Sequence, residues 1–187
     1  MTTSDADILD LVATLKASGE AFALATVVRT VSVTAAKAGA KAVIRADGSI
    51  SEGWIGGGCA RGAVLRAARE ALGDGRPRLV SVQPEDVLAA NGVSAGDLRD
   101  GVRFARNMCP SKGTMDVFVE PVLPRPELVV CGTSPVGLAL ADLAPRFGFT
   151  VKGCAPAADL ANFPAHARRV EGYVIDGPGA SERYVVV

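Results

Sequence analysis

Three short segments bring together residue types that do chemistry. The first is Gly56-Gly57-Gly58-Cys59, where an extended run gives way to helical spacing. Glycines carry no Cβ, so a ligand can approach their backbone closely. Free N–H groups at a helix start carry partial positive charge and bind anions. The same field favours anionic sulfur at Cys59, and Arg61 in the first turn adds a cation. The alternative is a tight strand-to-helix turn around a small buried cysteine, because glycines at helix ends are common. The second segment is Asn107-Met108-Cys109-Pro110-Ser111-Lys112-Gly113-Thr114. One thiol, one cation and two hydroxyls suit a ligand loop, but by chemistry alone an ordinary loop before a strand is the favoured reading. The third, Gly132-Thr133-Ser134-Pro135-Val136-Gly137, sits where a dinucleotide fingerprint would. Ser134 replaces the glycine that lets backbone reach a pyrophosphate, and Pro135 removes an N–H, so dinucleotide binding is not expected.

The elements that must position these groups are readable from periodicity. Ile8, Leu9, Leu11, Val12 and Leu15 have helical spacing over 5–18, with Ser4 as the expected cap. Ala21 to Val33 and Lys37 to Ile44 read as strands. The Asp47-Gly48 hairpin signal leads to a third strand ending at Ile55. A helix is expected over 60–72, with Ala63, Val64, Ala67, Ala68 and Ala71 on one side and Arg61, Arg66 and Arg69 on the other. Glu70 and Arg66 are spaced for a helical ion pair. A short strand at 79–82 precedes a polar stretch with one helix near 84–90, residues 104–112 show no period, and 113–122 reads as a strand. Leu123-Pro124-Arg125-Pro126 is the natural linker, since prolines hold it extended. Beyond it come a strand at 127–131, a helix at 136–147 containing Pro145, and strands at 149–154 and 184–187. The expected class is therefore mixed α/β. Residues 1–122 form a mixed sheet with helices and carry the glycine–cysteine segment, 123–126 form the linker, and 127–187 form a partial or truncated Rossmann-like domain. The apolar strand Val185-Val186-Val187 is expected to expose an edge and to drive homodimer formation.

Composition narrows the classes. The chain has 187 residues, with 20 Lys plus Arg against 20 Asp plus Glu. That balance gives no bulk charge for nucleic acid or a membrane surface. His166, the single histidine, rules out a multi-histidine metal centre and reads as a surface residue. Leu128 to Ala141 is uncharged but too short to span a bilayer, and the acidic N-terminus is no secretory signal. Cys59, Cys109, Cys131 and Cys154 contain no CxxC pair, so free thiols in a cytoplasmic protein are expected. Trp54 reads as core or as a wall for a planar ring; Lys37 and Lys41 read as a solvated face.

Several segments together resemble the XdhC/CoxI family. They are Ala23-Leu24-Ala25-Thr26-Val27-Val28-Arg29-Thr30, Gly39-Ala40-Lys41-Ala42, Asp47-Gly48, Trp54 to Cys59 before a helix, and Phe118-Val119-Glu120-Pro121 before a Pro-rich joint. These are accessory proteins of molybdenum hydroxylases of the xanthine dehydrogenase and carbon monoxide dehydrogenase type. The resemblance implies a chaperone that transiently binds molybdenum cofactor (molybdopterin), assists its maturation and inserts it into the apo-molybdenum hydroxylase. It also implies a cysteine desulfurase as a further partner, and delivery rather than turnover of a metabolite. The family's first cysteine falls on Cys59 as the metal's soft ligand, and backbone at Gly56, Gly57 and Gly58 would hold phosphate or oxo groups. The second falls on Cys109, followed here by Pro110-Ser111-Lys112-Gly113 rather than paired glycines. Arg61, Cys109 and Lys112 are lesser candidate contacts. A nucleotide-dependent oxidoreductase using the C-terminal domain is the rival class, and a plain interaction scaffold is another.

Overall fold

The computed structural model describes residues 5–110, 112–173 and 182–187. Ser4, the expected helix cap, lies outside them, as does Ser111. The chain divides into two compact units, Met1–Leu123 and Pro124–Val187.

In the first unit, α1 (Asp5–Ser18) is followed by β1 (Phe22–Val31), β2 (Lys41–Arg45) and β3 (Ile50–Gly53). Then come α2 (Gly58–Asp74), β4 (Arg78–Gln83), α3 (Glu85–Ala90), β5 (Leu98–Arg99), β6 (Val102–Arg106) and β7 (Thr114–Val122). The strands make one seven-stranded sheet in the order β3-β2-β1-β7-β4-β6-β5. Only β4 and β6 pair in parallel among these neighbours, so the sheet is mixed. Alternation sends Ala23, Ala25, Val27, Val80, Val82, Met115, Val117 and Val119 to one face, where Ala60, Val64, Ala67 and Ala68 of α2 cover them. The small alanines let helix and sheet approach closely. On the opposite face, Ile8 and Leu15 of α1 cover Phe22 and Val43.

The first helix, the Asp47-Gly48 hairpin and the strand before the linker stand where periodicity puts them. Strands β5 and β6 lie in the stretch that had read as polar and aperiodic. They are joined by Asp100 and Gly101, both at positive φ (51° and 78°), which is a two-residue hairpin turn.

The second unit has β8 (Glu127–Cys131), α4 (Pro135–Leu143), β9 (Thr150–Ala155), β10 (Arg168–Glu171) and β11 (Arg183–Val186). All four strands are parallel, in the order β10-β9-β8-β11. Leu128, Val130, Ala141, Val151 and Phe163 make its core. The expected helix over 136–147 tightens at Ala144–Phe147 into a 3₁₀ turn containing Pro145, whose ring cannot donate in an α-helical ladder. The expected mixed α/β class thus holds. A mixed sheet with helices is followed by a parallel sheet with a crossover helix. Strand β10 had no expectation from sequence.

Candidate functional site

The three glycines before α2 do different work. Gly56 has φ +106°, and a Cβ there would lie 3.3 Å from the Met115 methyl, so this position needs glycine for shape. Gly57 caps α2 in an extended conformation with no side-chain bond to the first turn. At Gly57 and Gly58 an added Cβ would meet nothing within 4 Å. The fold does not require glycine at these two positions; their effect is to leave bare backbone at the surface. The first turn of α2 carries no acidic residue, so no side-chain carboxylate competes there for an anion.

Cys59 is the second residue of α2 and is half-buried. Its Sγ accepts the Met108 N–H at 3.5 Å, which ties the helix start to the 107–113 loop. That loop is organised by Asn107. Asn107 Oδ1 accepts the Cys109 N–H at 2.9 Å, and its Nδ2 donates to the Gly113 carbonyl at 2.6 Å. Gly113 is packed too tightly for any side chain, since an added Cβ would sit 2.2 Å from the Val33 carbonyl oxygen.

Two recesses flank the glycine run. A small one of about 50 Å³ is lined by Thr34, Gly56, Gly57, Asn107 and Cys109. A larger groove of about 360 Å³ runs along α2 from Gly58 and Cys59, with Arg66, Glu70, Arg78, Arg103 and Arg106 on its walls. Gly56, Gly57 and Cys109 thus gather in one recess, while Gly58 and Cys59 head the other. Arg61 and Lys112 are exposed and line neither, and Lys112 holds a positive φ of 48°. Trp54 is 54% exposed and also lies outside both linings. No group of three or more His, Cys, Asp or Glu suited to a metal occurs among the described residues.

Sequence reasoning missed the arginines. Glu70, expected to pair with Arg66, bridges Arg78 at 3.7 Å and Arg103 at 3.5 Å. Arg78 also pairs with Asp74, and Arg106 with Glu85 at 2.8 Å. Four arginines against three carboxylates leave the groove with an excess of positive charge. They come from α2, β4 and β6, so no local spacing could have revealed them.

In the second unit Ser134 Oγ accepts the Gly137 N–H at 3.2 Å and caps α4. A Cβ on Gly137 would lie 3.1 Å from Val130 Cγ1, so this glycine serves helix–strand contact. Cys131 and Cys154 are direct cross-strand neighbours. Burial pushes the Cys154 thiol up, and nearby Cys131 adds to the shift. His166 is exposed at the surface, with Nε2 3.0 Å from the Ala141 carbonyl.

The XdhC and CoxI family matches residues 15–83, which take in Gly56 to Cys59 and the whole of the groove helix but end before Cys109. An uncharacterized protein of Escherichia coli K12, YqeB, is 34% identical over 112 residues. That match takes in 60% of this chain, which spans only 18% of the relative's length. A crystal structure of a xanthine dehydrogenase from Bacillus halodurans is similar at 16% identity and a TM-score of 0.42, over 90% of this chain and 68% of that one. No helix among the described residues is long and apolar enough to cross a membrane.

Proposed function

We propose that this chain, whose residues 15–83 are an XdhC and CoxI family segment, is an accessory factor that binds molybdenum cofactor and delivers it to an apo-molybdenum hydroxylase. The observation that carries the reading is the position of Cys59. Its sulfur stands at the bare-backbone start of α2, at the head of the arginine-lined groove. The donor set fits the group. A molybdenum cofactor combines an anionic phosphate with a thiophilic metal. Here N–H groups and guanidiniums serve the first need and a thiol serves the second. When bound, the cofactor supplies the redox metal centre that the recipient enzyme uses.

This chain's residues hold and release. Gly57 and Gly58 leave the backbone open, and Arg66 and Arg103 attract the anionic end. Met108, whose side chain is 71% exposed at the rim, lies where a recipient surface would meet the groove. A cysteine desulfurase as sulfur donor and a homodimer through the outer edge of β11 belong to the same proposal.

The test is molybdenum and pterin content of protein isolated from cells that make the cofactor. The parent is compared with Cys59→Ser, Cys109→Ser, Cys131→Ser and Cys154→Ser, each checked by circular dichroism. Cys59→Ser should lose most of both while staying folded; Cys109→Ser should lose less, and the other two little. Retention in Cys59→Ser with loss in Cys109→Ser would move the site to the smaller recess. Full retention in all four would remove thiol chemistry from the proposal.

A further inference from the structure

The second unit holds two thiols that the Cys59 reading does not use. Cys131 ends β8, Cys154 stands one residue before the end of β9, and the two are register partners in a parallel pair. The backbone is tied at the same point, since the Gly132 N–H donates to the Cys154 carbonyl at 2.8 Å. Neighbouring strands run about 4.8 Å apart, inside the window of about 4.4–6.8 Å that a disulfide spans between Cα atoms.

Alternation puts both sulfurs on one face of the sheet. Leu128, Val130, Val151 and Ala155 pack with Ala141 of α4. Glu127, Val129 and Cys131, with Lys152 and Cys154 beside them, therefore take the other face. Cys154 is fully buried there, whereas Cys131 is half-buried, so solvent meets the pair at Cys131. Burial raises the Cys154 thiol, Cys131 adds to that shift and Lys152 opposes it, so the two sulfurs and the ammonium sense one another. Surroundings that penalise charge suit a neutral disulfide better than a thiolate pair around a metal ion. Cys59 and Cys109 share no such ladder, for they line different recesses, one on a helix and one in a loop.

We infer that Cys131 and Cys154 form a redox-active dithiol that reacts with hydroperoxides, Cys131 as the attacking sulfur and Cys154 as the resolving one. The Cys131 sulfur attacks one oxygen of the hydroperoxide. An S–O bond forms, the O–O bond breaks, and the alcohol (water, from hydrogen peroxide) leaves with the thiol proton. Cys131 is then a sulfenic acid, oxidised by two electrons, and the peroxide is reduced by two. Cys154 next attacks the Cys131 sulfur. The S–S bond forms, the S–O bond breaks, and water leaves carrying the sulfenic hydroxyl and the Cys154 proton. The ladder makes this second step intramolecular, which spares Cys131 from irreversible oxidation. A small dithiol reverses the reaction: it attacks the Cys131 sulfur from the open side, expels Cys154 and closes to its own disulfide.

The experiment treats the folded full chain with hydrogen peroxide, caps the remaining thiols in denaturant and digests with trypsin. Peptides 113–146 and 153–168, which carry Cys131 and Cys154, should appear joined and two hydrogens lighter than their sum, and dithiothreitol should separate them. Cys154→Ser should stop at the sulfenic acid, which dimedone traps on peptide 113–146, and Cys131→Ser should leave Cys154 reduced. The link in the parent chain decides the matter even if a variant fails to fold. Oxidised after unfolding in urea, the chain should give mixed pairings. Peroxide that leaves all four thiols intact, a link between Cys59 and Cys109 in place of this one, or the same mixture of pairings from folded and unfolded chain would each overturn the assignment.

Discussion

Replacing Gly53 by alanine should be among the most damaging one-carbon changes in the N-terminal unit, and its cost can be built from two parts. Gly53 has φ +89°, and a left-handed backbone costs an ordinary residue about 1–2 kcal/mol. The new Cβ would also lie 2.1 Å from the Lys41 carbonyl oxygen and 2.8 Å from Ala42 Cα. Ala42 is the register partner of Gly53, so the methyl can be placed only by prising β3 from β2. Overpacking of this kind costs about 1–3 kcal/mol, giving about 2–5 kcal/mol in all. Gly48→Ala is the matched control. Its φ is +84°, but nothing lies within 4 Å of the added carbon, so only the backbone part of about 1–2 kcal/mol remains. Gly58→Ala is the third member, with open space and no left-handed φ, and should be neutral or slightly stabilising in α2. Trp54, the single tryptophan, follows Gly53 directly, so its fluorescence during urea unfolding reports on this unit. With a slope near 2 kcal/mol/M, Gly53→Ala should lower the midpoint by about 1–2.5 M and Gly48→Ala by about 0.5–1 M. A midpoint for Gly53→Ala equal to that of Gly48→Ala would refute the steric part of the reasoning.

Three further outcomes follow from the second unit. Because burial raises the Cys154 thiol, the folded state holds that proton more tightly than the unfolded chain. Its contribution is intact below the ordinary thiol range and is lost as pH climbs through and above about 9. Cys154→Ala should therefore flatten the alkaline fall in the unfolding midpoint, and an unchanged fall would reject the cause. Calorimetric titration with NAD and with FAD should show no low-micromolar site, since Ser134 Oγ already occupies the Gly137 N–H that a pyrophosphate would want; tight saturation by either would show that reading of the turn to be mistaken. Light scattering should find a dimer, because β11 sits at the sheet edge with Tyr184 and Val185 about half exposed. A monomer across a wide concentration range would end that proposal.

What could be read from the sequence was whatever local spacing encodes. Helix α1, the β2–β3 hairpin and the glycine–cysteine entry to α2 each declare themselves within a dozen residues. Asp100-Gly101 carried the same hairpin signal as Asp47-Gly48, but Arg103 and Arg106, three residues apart, broke the period-2 pattern of the strand behind it. In the fold those arginines line the groove along α2, where Glu70 and Glu85 pair with them. The groove and the Arg29–Asp116 ion pair were illegible for a different reason. Arg66, Arg78 and Arg103 meet only after three elements pack, and Arg29 finds Asp116 across 87 positions of chain. Ser134 looked like a damaged fingerprint; in the fold it is a working helix cap.

The order of the seven-stranded sheet has a consequence for how the chain is made. Strand β7 lies between β1 and β4, and Thr26 pairs with Phe118, 92 residues later. The family-matched stretch ends at Gln83, with β4 complete but both of its sheet neighbours, β6 and β7, still to come. As synthesis proceeds, β1, β2 and β3 can pair as a meander, but β4 follows α2 as a stray strand with neither of its neighbours yet made. Closing that span costs on the order of 4 kcal/mol of chain entropy before any side chain packs. Nothing before about residue 122 can repay it, so the middle of the sheet must zip late and all at once. A nascent chain stalled anywhere between Gln83 and Val122 would leave the inner edge of β1 bare, which marks this interval as the one where a cellular folding helper has most to protect.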